Sequence, residues 1–237
     1  MRVSSSDVQN SFGKYLKIAT CQEPVIITKN GQDIARLVPY PEPLLLAEGQ
    51  KMSYQAYLGL VANSEERYEL IDGELYLLDS PVFDHQTVLG ELFGSFYNWF
   101  KGKPCRPVFA PLDVTLYKSA ENVNVVQPDL VVICDTDQID AKGKYIGVPT
   151  LVIEVLSPST RRKDILQKTD LYLQTGIKEY WLIDLDKQAV YRYVFADGDI
   201  EDYQAIIDSG TVQSTCFAGL EIRLDDLFGR QNKINRG

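Results

Sequence analysis

The chain has 237 residues, 45% of them hydrophobic and 11% aromatic, with a net charge of −9, which bounds it as one large domain or as a medium domain with a small one attached. The acidic surplus excludes nonspecific nucleic-acid binding by the whole surface, and the single histidine, His85, excludes a histidine-built metal cage. Cys21, Cys105, Cys134 and Cys216 are scattered without Cys-x-x-Cys spacing, which speaks against zinc and predicts reduced thiols.

No apolar run reaches membrane-spanning length and the N-terminus is polar, unlike a signal peptide, so a soluble cytoplasmic protein without a membrane partner is expected. Residues 1–40 carry five basic side chains against three acidic ones, a local excess of positive charge that marks a separate N-terminal module. There, Ser5 or Ser6 can cap a helix by accepting from its free N–H groups, and Val8, Phe12, Tyr15, Leu16 and Ala19 fall on one helical face. Two apolar runs between Val25 and Val38 flank Asn30-Gly31, a strong hairpin signal. A helix and a hairpin in roughly forty residues are too few to close a core alone, so this module is expected to dimerise or dock.

Pro39, Pro41 and Pro43 make a stiff connector. Beyond it, Ser53 caps a short helix to about Ala62. Tyr68 to Leu78 reads as a hairpin turning at Asp72-Gly73, which puts Glu69, Ile71, Glu74 and Tyr76 on one face. Asp84 can cap a helix reaching Phe100, with Leu89, Leu92, Phe93, Phe96 and Phe100 as its stripe and His85 on its sheet-facing side. Residues 106–117, 127–133, 150–156 and 179–184 read as strands, with a helix over 161–175 on which Ile165, Thr169, Tyr172 and Leu173 share a side. A strand at 189–195, an Asp197-Gly198 turn and a mostly extended tail to Phe228 follow.

Asp129 and Glu154 fall within apolar runs that otherwise carry no charge. Burying a lone carboxylate costs several kcal/mol, so such a residue calls for a metal, a cation or a raised pKa. Structural roles are also open: Asp129 could cap a turn after Pro128, and Glu154 could form an ion pair with Lys168. Arg161, Arg162 and Lys163 read as a solvated helix start or as a contact to DNA phosphate.

The order Val3-Ser-Ser, Phe12-Gly, Glu23-Pro-Val-Ile-Ile-Thr-Lys-Asn-Gly31 and Ala35-Arg-Leu-Val-Pro39 resembles the N-terminal domain of Phd/YefM-type antitoxins. That resemblance implies a homodimer through residues 1–40 that binds operator DNA. Such antitoxins neutralise a toxin partner with a C-terminal tail, and no such tail directly follows residue 40. Tyr68-Glu-Leu-Ile-Asp-Gly-Glu74, His85, Pro128-Asp129, Glu154-Val-Leu-Ser-Pro-Ser159, Asp164, Lys168, Tyr172, Gly176 and Glu179-Tyr-Trp181 resemble the Uma-type family of putative restriction endonucleases, within the PD-(D/E)XK nuclease superfamily. The place two residues after the glutamate, where that superfamily keeps its lysine, holds Leu156, and the Uma-type pattern puts the lysine at Lys168.

The resemblance implies an α/β fold: a restriction-endonuclease-like mixed sheet flanked by helices over residues 50–228, preceded by the small α+β module at 1–40 and a linker at 41–49 and followed by a tail at 229–237. It implies a DNA endonuclease using Mg²⁺, with Mn²⁺ able to substitute. Asp129, Glu154 and Glu74 would be metal ligands, Glu69 rivalling Glu74 for the third place. Lys168 would activate water or stabilise charge, and His85 would support the site. The rival expectation is a non-catalytic DNA-binding regulator of antitoxin type.

Overall fold

The computed structural model describes residues 1–21, 25–37, 51–157 and 163–229. The chain divides into two compact units, Met1–Lys51 and Met52–Gly237. The connector at Pro39 to Pro43, Arg161, Arg162 and the last eight residues lie outside the described residues, as does the side chain of Lys163.

In the first unit β1 (Arg2–Ser4) leads to α1 (Ser5–Asn10), α2 (Phe12–Cys21), β2 (Val25–Lys29) and β3 (Gln32–Leu37), with the strands in the order β1-β2-β3. Ser4, one residue earlier than expected, caps α1 by accepting from the Asp7 N–H at 3.1 Å. The expected single helix is interrupted at Ser11, whose φ of −141° is not helical, so its two halves no longer share one stripe. Val3, Val8, Tyr15, Ala19 and Val25 make a small core, while Phe12 is 52% and Leu16 41% exposed. The hairpin turns where expected, with φ of 52° at Asn30 and 80° at Gly31, the left-handed values a two-residue turn requires.

The second unit runs α3 (Tyr54–Val61), β4 (Tyr68–Ile71), β5 (Glu74–Leu77), α4 (Phe83–Phe100), β6 (Arg106–Phe109), β7 (Val114–Tyr117), β8 (Val123–Val126), β9 (Leu130–Ile133) and β10 (Leu151–Leu156). A π-helical turn over Lys163–Lys168 then leads into α5 (Thr169–Thr175), β11 (Glu179–Asp184), β12 (Ala189–Ala196), β13 (Asp199–Ile207), β14 (Thr211–Gln213), β15 (Glu221–Arg223) and α6 (Leu224–Phe228). The central sheet has the order β13-β12-β11-β10-β9-β6 and a second has the order β5-β4-β8-β7. Only the β10–β11 pair of the central sheet is parallel, so that sheet is mixed.

Both faces of the middle of the central sheet are buried: every residue of β9, β10 and β11 is buried, and successive residues enter opposite layers. Leu151, Ile153 and Val155 of β10 pack with Leu89, Leu92, Phe96 and Phe100 of α4 in one core. Val152 and Leu156 join Ile71, Val131, Leu171 and Tyr172 in a second core on the other face. Glu154 lies between Ile153 and Val155, so alternation points it into that second layer, toward the π-helical turn and α5.

Four expectations are corrected. The single strand expected over 106–117 is two, because the chain leaves the central sheet at Ala110-Pro111 and enters the second as β7; proline has no N–H with which to continue a ladder. The missed β8 pairs β7 to β4. Helix α4 starts at Phe83 with Val82 as its N-cap, leaving Asp84 in the first turn rather than at the cap. Cys105 and Cys134 form a disulfide instead of staying reduced: they adjoin the register pair Arg106–Ile133 of antiparallel β6 and β9, which erases their separation of 29 residues. Among the described residues no helix is long and apolar enough to cross a membrane.

Candidate active site

A cavity of about 460 Å³ opens where the two sheets and the N-terminal end of α4 meet, and its lining includes Arg67, Glu69, His85, Gln127, Asp129, Glu154, Asp164 and Lys168. At its base the Lys168 ammonium is buried and lies 2.7 Å from Glu154 Oε1, 2.9 Å from Glu69 Oε1 and 3.5 Å from Asp164 Oδ1. Tyr172 donates to the same Glu154 oxygen at 2.7 Å, and the Gln127 backbone N–H donates to Glu69 Oε1 at 2.9 Å. Asp129, one residue before β9, accepts at Oδ2 from the Val155 N–H at 2.7 Å and faces His85 Nε2 at 3.3 Å.

Local structure explains these placements. The strand hairpin gives Glu69 and Tyr76 one face, and the pairing of β4 with β8 makes β4 an inner strand while β5 stays at the sheet edge. The π-helical turn places Asp164, Lys168 and Tyr172 along one side of the segment that covers Glu154. Helix α5 ends at Gly176, whose φ of 86° is the left-handed conformation that suits glycine at a helix end.

Five carboxylates, those of Glu69, Asp79, Asp129, Glu154 and Asp164, thus line the cavity together with Lys168 at its base, His85 and Arg67. Burial pushes the Glu154 carboxyl up to about 8, opposed by Lys168 and reinforced by Asp164, Asp129 and Glu69. Burial disfavours the Lys168 charge, but the attraction of Glu154, Glu69 and Asp164 is larger and raises its pKa well above the ordinary lysine value. Lys168 therefore keeps its charge, and burial leaves Glu154 the acid beside it whose charged form is disfavoured. For His85, burial works against the charged form, but the hydrogen bond to Asp129 and its charge outweigh burial and the net shift is upward.

The structure brings Asp129, Glu154, Lys168 and His85 together. It leaves Glu74 outside the cavity lining, where that exposed side chain accepts from the Tyr76 hydroxyl. Glu69 shares Glu74's strand face and is the hairpin acid that reaches the cluster: it is buried on the inner strand β4, whereas Glu74 is exposed on the edge strand β5. Beyond the resemblance string, the residues did not single out Asp164 as a partner of Lys168 or Tyr172 as a partner of Glu154. The Asp164–Lys168 spacing of four residues was the available signal for the first. Among the described residues no three His, Cys, Asp or Glu side chains form a group able to hold a metal ion by themselves. Asp129 Oδ1 and Glu154 Oε2 nonetheless make no hydrogen bond to a described residue and are open as oxygen donors.

Fold and site together define a mixed α/β protein with a carboxylate-rich cavity. Residues 53–225 match the Uma2 family, described as "Putative restriction endonuclease", and the chain belongs to that family. The uncharacterized protein slr1290 of Synechocystis sp. is 31% identical over 160 residues, which is 65% of this chain and 82% of the relative. A crystal structure from Anabaena variabilis, described as "a putative nuclease belonging to DUF820", is similar in fold with a TM-score of 0.62 and 22% identity, covering 75% of this chain and 98% of that one.

The carboxyl pKa generates a prediction. Glu154 in the folded protein holds its proton more tightly than in the unfolded chain, so its contribution to stability is fully present below about pH 4.5 and is lost as pH rises through about 8. Urea unfolding in a chelator should therefore show wild type losing stability across that window relative to Glu154→Gln, by on the order of a few kcal/mol. Parallel pH profiles for the two proteins would contradict the assignment.

Proposed function

We propose that the protein is a divalent-cation-dependent endonuclease that hydrolyses DNA phosphodiester bonds, with Asp129 and Glu154 as the cation's ligands. The observation that carries this reading is the excess of carboxylate over cation in a cavity where one oxygen of each of those two residues is open. Magnesium suits such a site, because it takes one or two carboxylates and completes its coordination with water and substrate phosphate. The donor set fits it and Mn²⁺, and the bound ion would polarise the phosphate and lower the pKa of water.

The chain's own residues define the rest. Lys168 stays protonated, so it is no general base. It holds Glu154, Glu69 and Asp164 in place and offsets negative charge as it builds at phosphorus. Tyr172 and Lys168 both donate to Oε1 of Glu154, which leaves Oε2 directed to ligand rather than protein. His85 and the Val155 N–H both hold Asp129 at Oδ2. Glu69 supports Lys168, and Glu74, outside the cavity lining, is given no role in this reading.

Incubation of the purified protein with plasmid and oligonucleotides in Mg²⁺ or Mn²⁺ tests this reading. Wild type should cut DNA, and Glu154→Ala and Asp129→Asn should each lose roughly 100-fold or more of that activity. Binding of DNA without cleavage by wild type would favour the rival, a DNA-binding regulator of antitoxin type.

Residues 1–40 we infer to be a homodimerising, DNA-binding module, as their antitoxin-like sequence implies; no toxin partner is assigned. Supporting this are Phe12, Leu16 and Ile34, all exposed on a unit with a core of only a few residues. A symmetric dimer would match a palindromic DNA site and present two nuclease domains to two strands. Sedimentation of the full chain should report a dimer, and Phe12→Glu with Leu16→Glu should make it a monomer. A dimer that survives both changes would place the interface elsewhere.

A further inference from the structure

Resting on the nuclease reading, the unassigned group of most interest is Arg67. It immediately precedes β4, and its carbonyl accepts from the Leu78 N–H at 2.9 Å, which extends the hairpin ladder by one pair. Alternation along the strand therefore puts Arg67 on the same face as Glu69, two residues on. Both line the cavity. Glu69 reaches its base, and Arg67 stands one step nearer the end of the strand.

The charges of the cavity give that position meaning. Lys168 is committed to three carboxylates and His85 to Asp129. Asp79 adds a further acid to the lining. Among the described residues, Arg67 is the one cation of the lining that has no carboxylate partner. Its one side-chain hydrogen bond to a described residue runs from Nη2 to the Asp79 carbonyl oxygen at 3.4 Å, which leaves most of its five donors unused. An anionic backbone entering this acidic cavity would be repelled unless a cation met it, and a guanidinium matches phosphate oxygens two at a time.

We propose that Arg67 is a substrate-binding residue that holds a phosphate of the nucleic-acid backbone in the cavity beside the scissile bond. The hairpin ladder fixes its backbone, so the phosphate it holds is set in register with Glu154 and Asp129. The contact is to the backbone and reads no base.

The test uses the full chain, with a fluorescein-labelled thymidine tetranucleotide as probe and Ca²⁺ in place of Mg²⁺, over a series of salt concentrations. Arg67→Ala should weaken binding about 10-fold and reduce the slope of log affinity against log salt by about 1. Arg67→Lys should keep the slope and lose part of the affinity. Because a hairpin fault could also weaken binding, thermal melting of both variants is measured alongside. A merely structural residue would move the melting temperature and leave the salt slope unchanged. Unchanged affinity and slope in Arg67→Ala, or no binding of the probe by wild type, overturns the proposal. The nuclease reading fails separately: if wild type binds the probe through Arg67 but leaves plasmid uncut in Mn²⁺, Arg67 stands and the catalytic assignment falls. If wild type cuts plasmid and Arg67→Ala does so with unchanged KM, the reverse holds.

Discussion

The buried ammonium of Lys168 is the constraint on which the rest of this domain depends. An isolated lysine charge cannot remain in a core, and removing one partner of such a pair costs about 3–5 kcal/mol. Here the charge is held by Glu154 on the central sheet, Glu69 on the second sheet and Asp164 on the π-helical turn that carries the lysine itself. One side chain thus ties three layers together. Three acids are more than one lysine can neutralise, and Asp129 adds a fourth. Burial above all, reinforced by the neighbouring acids against the attraction of Lys168, holds the Glu154 pKa up.

A site built this way is incomplete in charge by design of its geometry. Its polar groups are rigid: Glu154 lies in a strand paired on both sides, Asp129 is tied to the backbone of the neighbouring strand, and His85 sits on a helix whose stripe is packed into the core. Preorganisation of this kind is what the proposed reaction requires, since fixed groups need no reorganisation. A second brace serves the same end. Lys118 bridges Asp72 in the β4–β5 turn and Asp170 at the start of α5, at 2.8 and 2.6 Å, and so links the hairpin that carries Glu69 to the helix that follows Lys168.

Much of this was legible from residue pattern. Asp129 and Glu154 stand out because charge interrupts apolar runs, and the Asn30-Gly31 and Asp72-Gly73 turns declare their hairpins by chemistry alone. The choice between Glu69 and Glu74 was not legible, since alternation gives both the same face and only tertiary pairing with β8 decides which is covered. The break at Pro111 and the short β8 were missed because four-residue strands carry too little periodicity to separate from a loop. A π-helical turn likewise has no period that a helical pattern would betray. The Cys105–Cys134 bond depends on the register of β6 against β9, which lies beyond any spacing rule. The phosphate-facing role inferred for Arg67 required the cavity's charge balance, in which every other described cation is already engaged.

The central claim is that Glu154 trades a proton for a divalent cation. Calorimetric titration of Mn²⁺ at pH 7, repeated in buffers of different ionisation enthalpy, measures the exchange directly, because a ligand must lose its proton to bind. Wild type should bind Mn²⁺ and release close to one proton, Glu154→Gln should release none, and Asp129→Asn should bind more weakly. Equal binding by wild type and Asp129→Asn, or binding without proton release, would contradict the account.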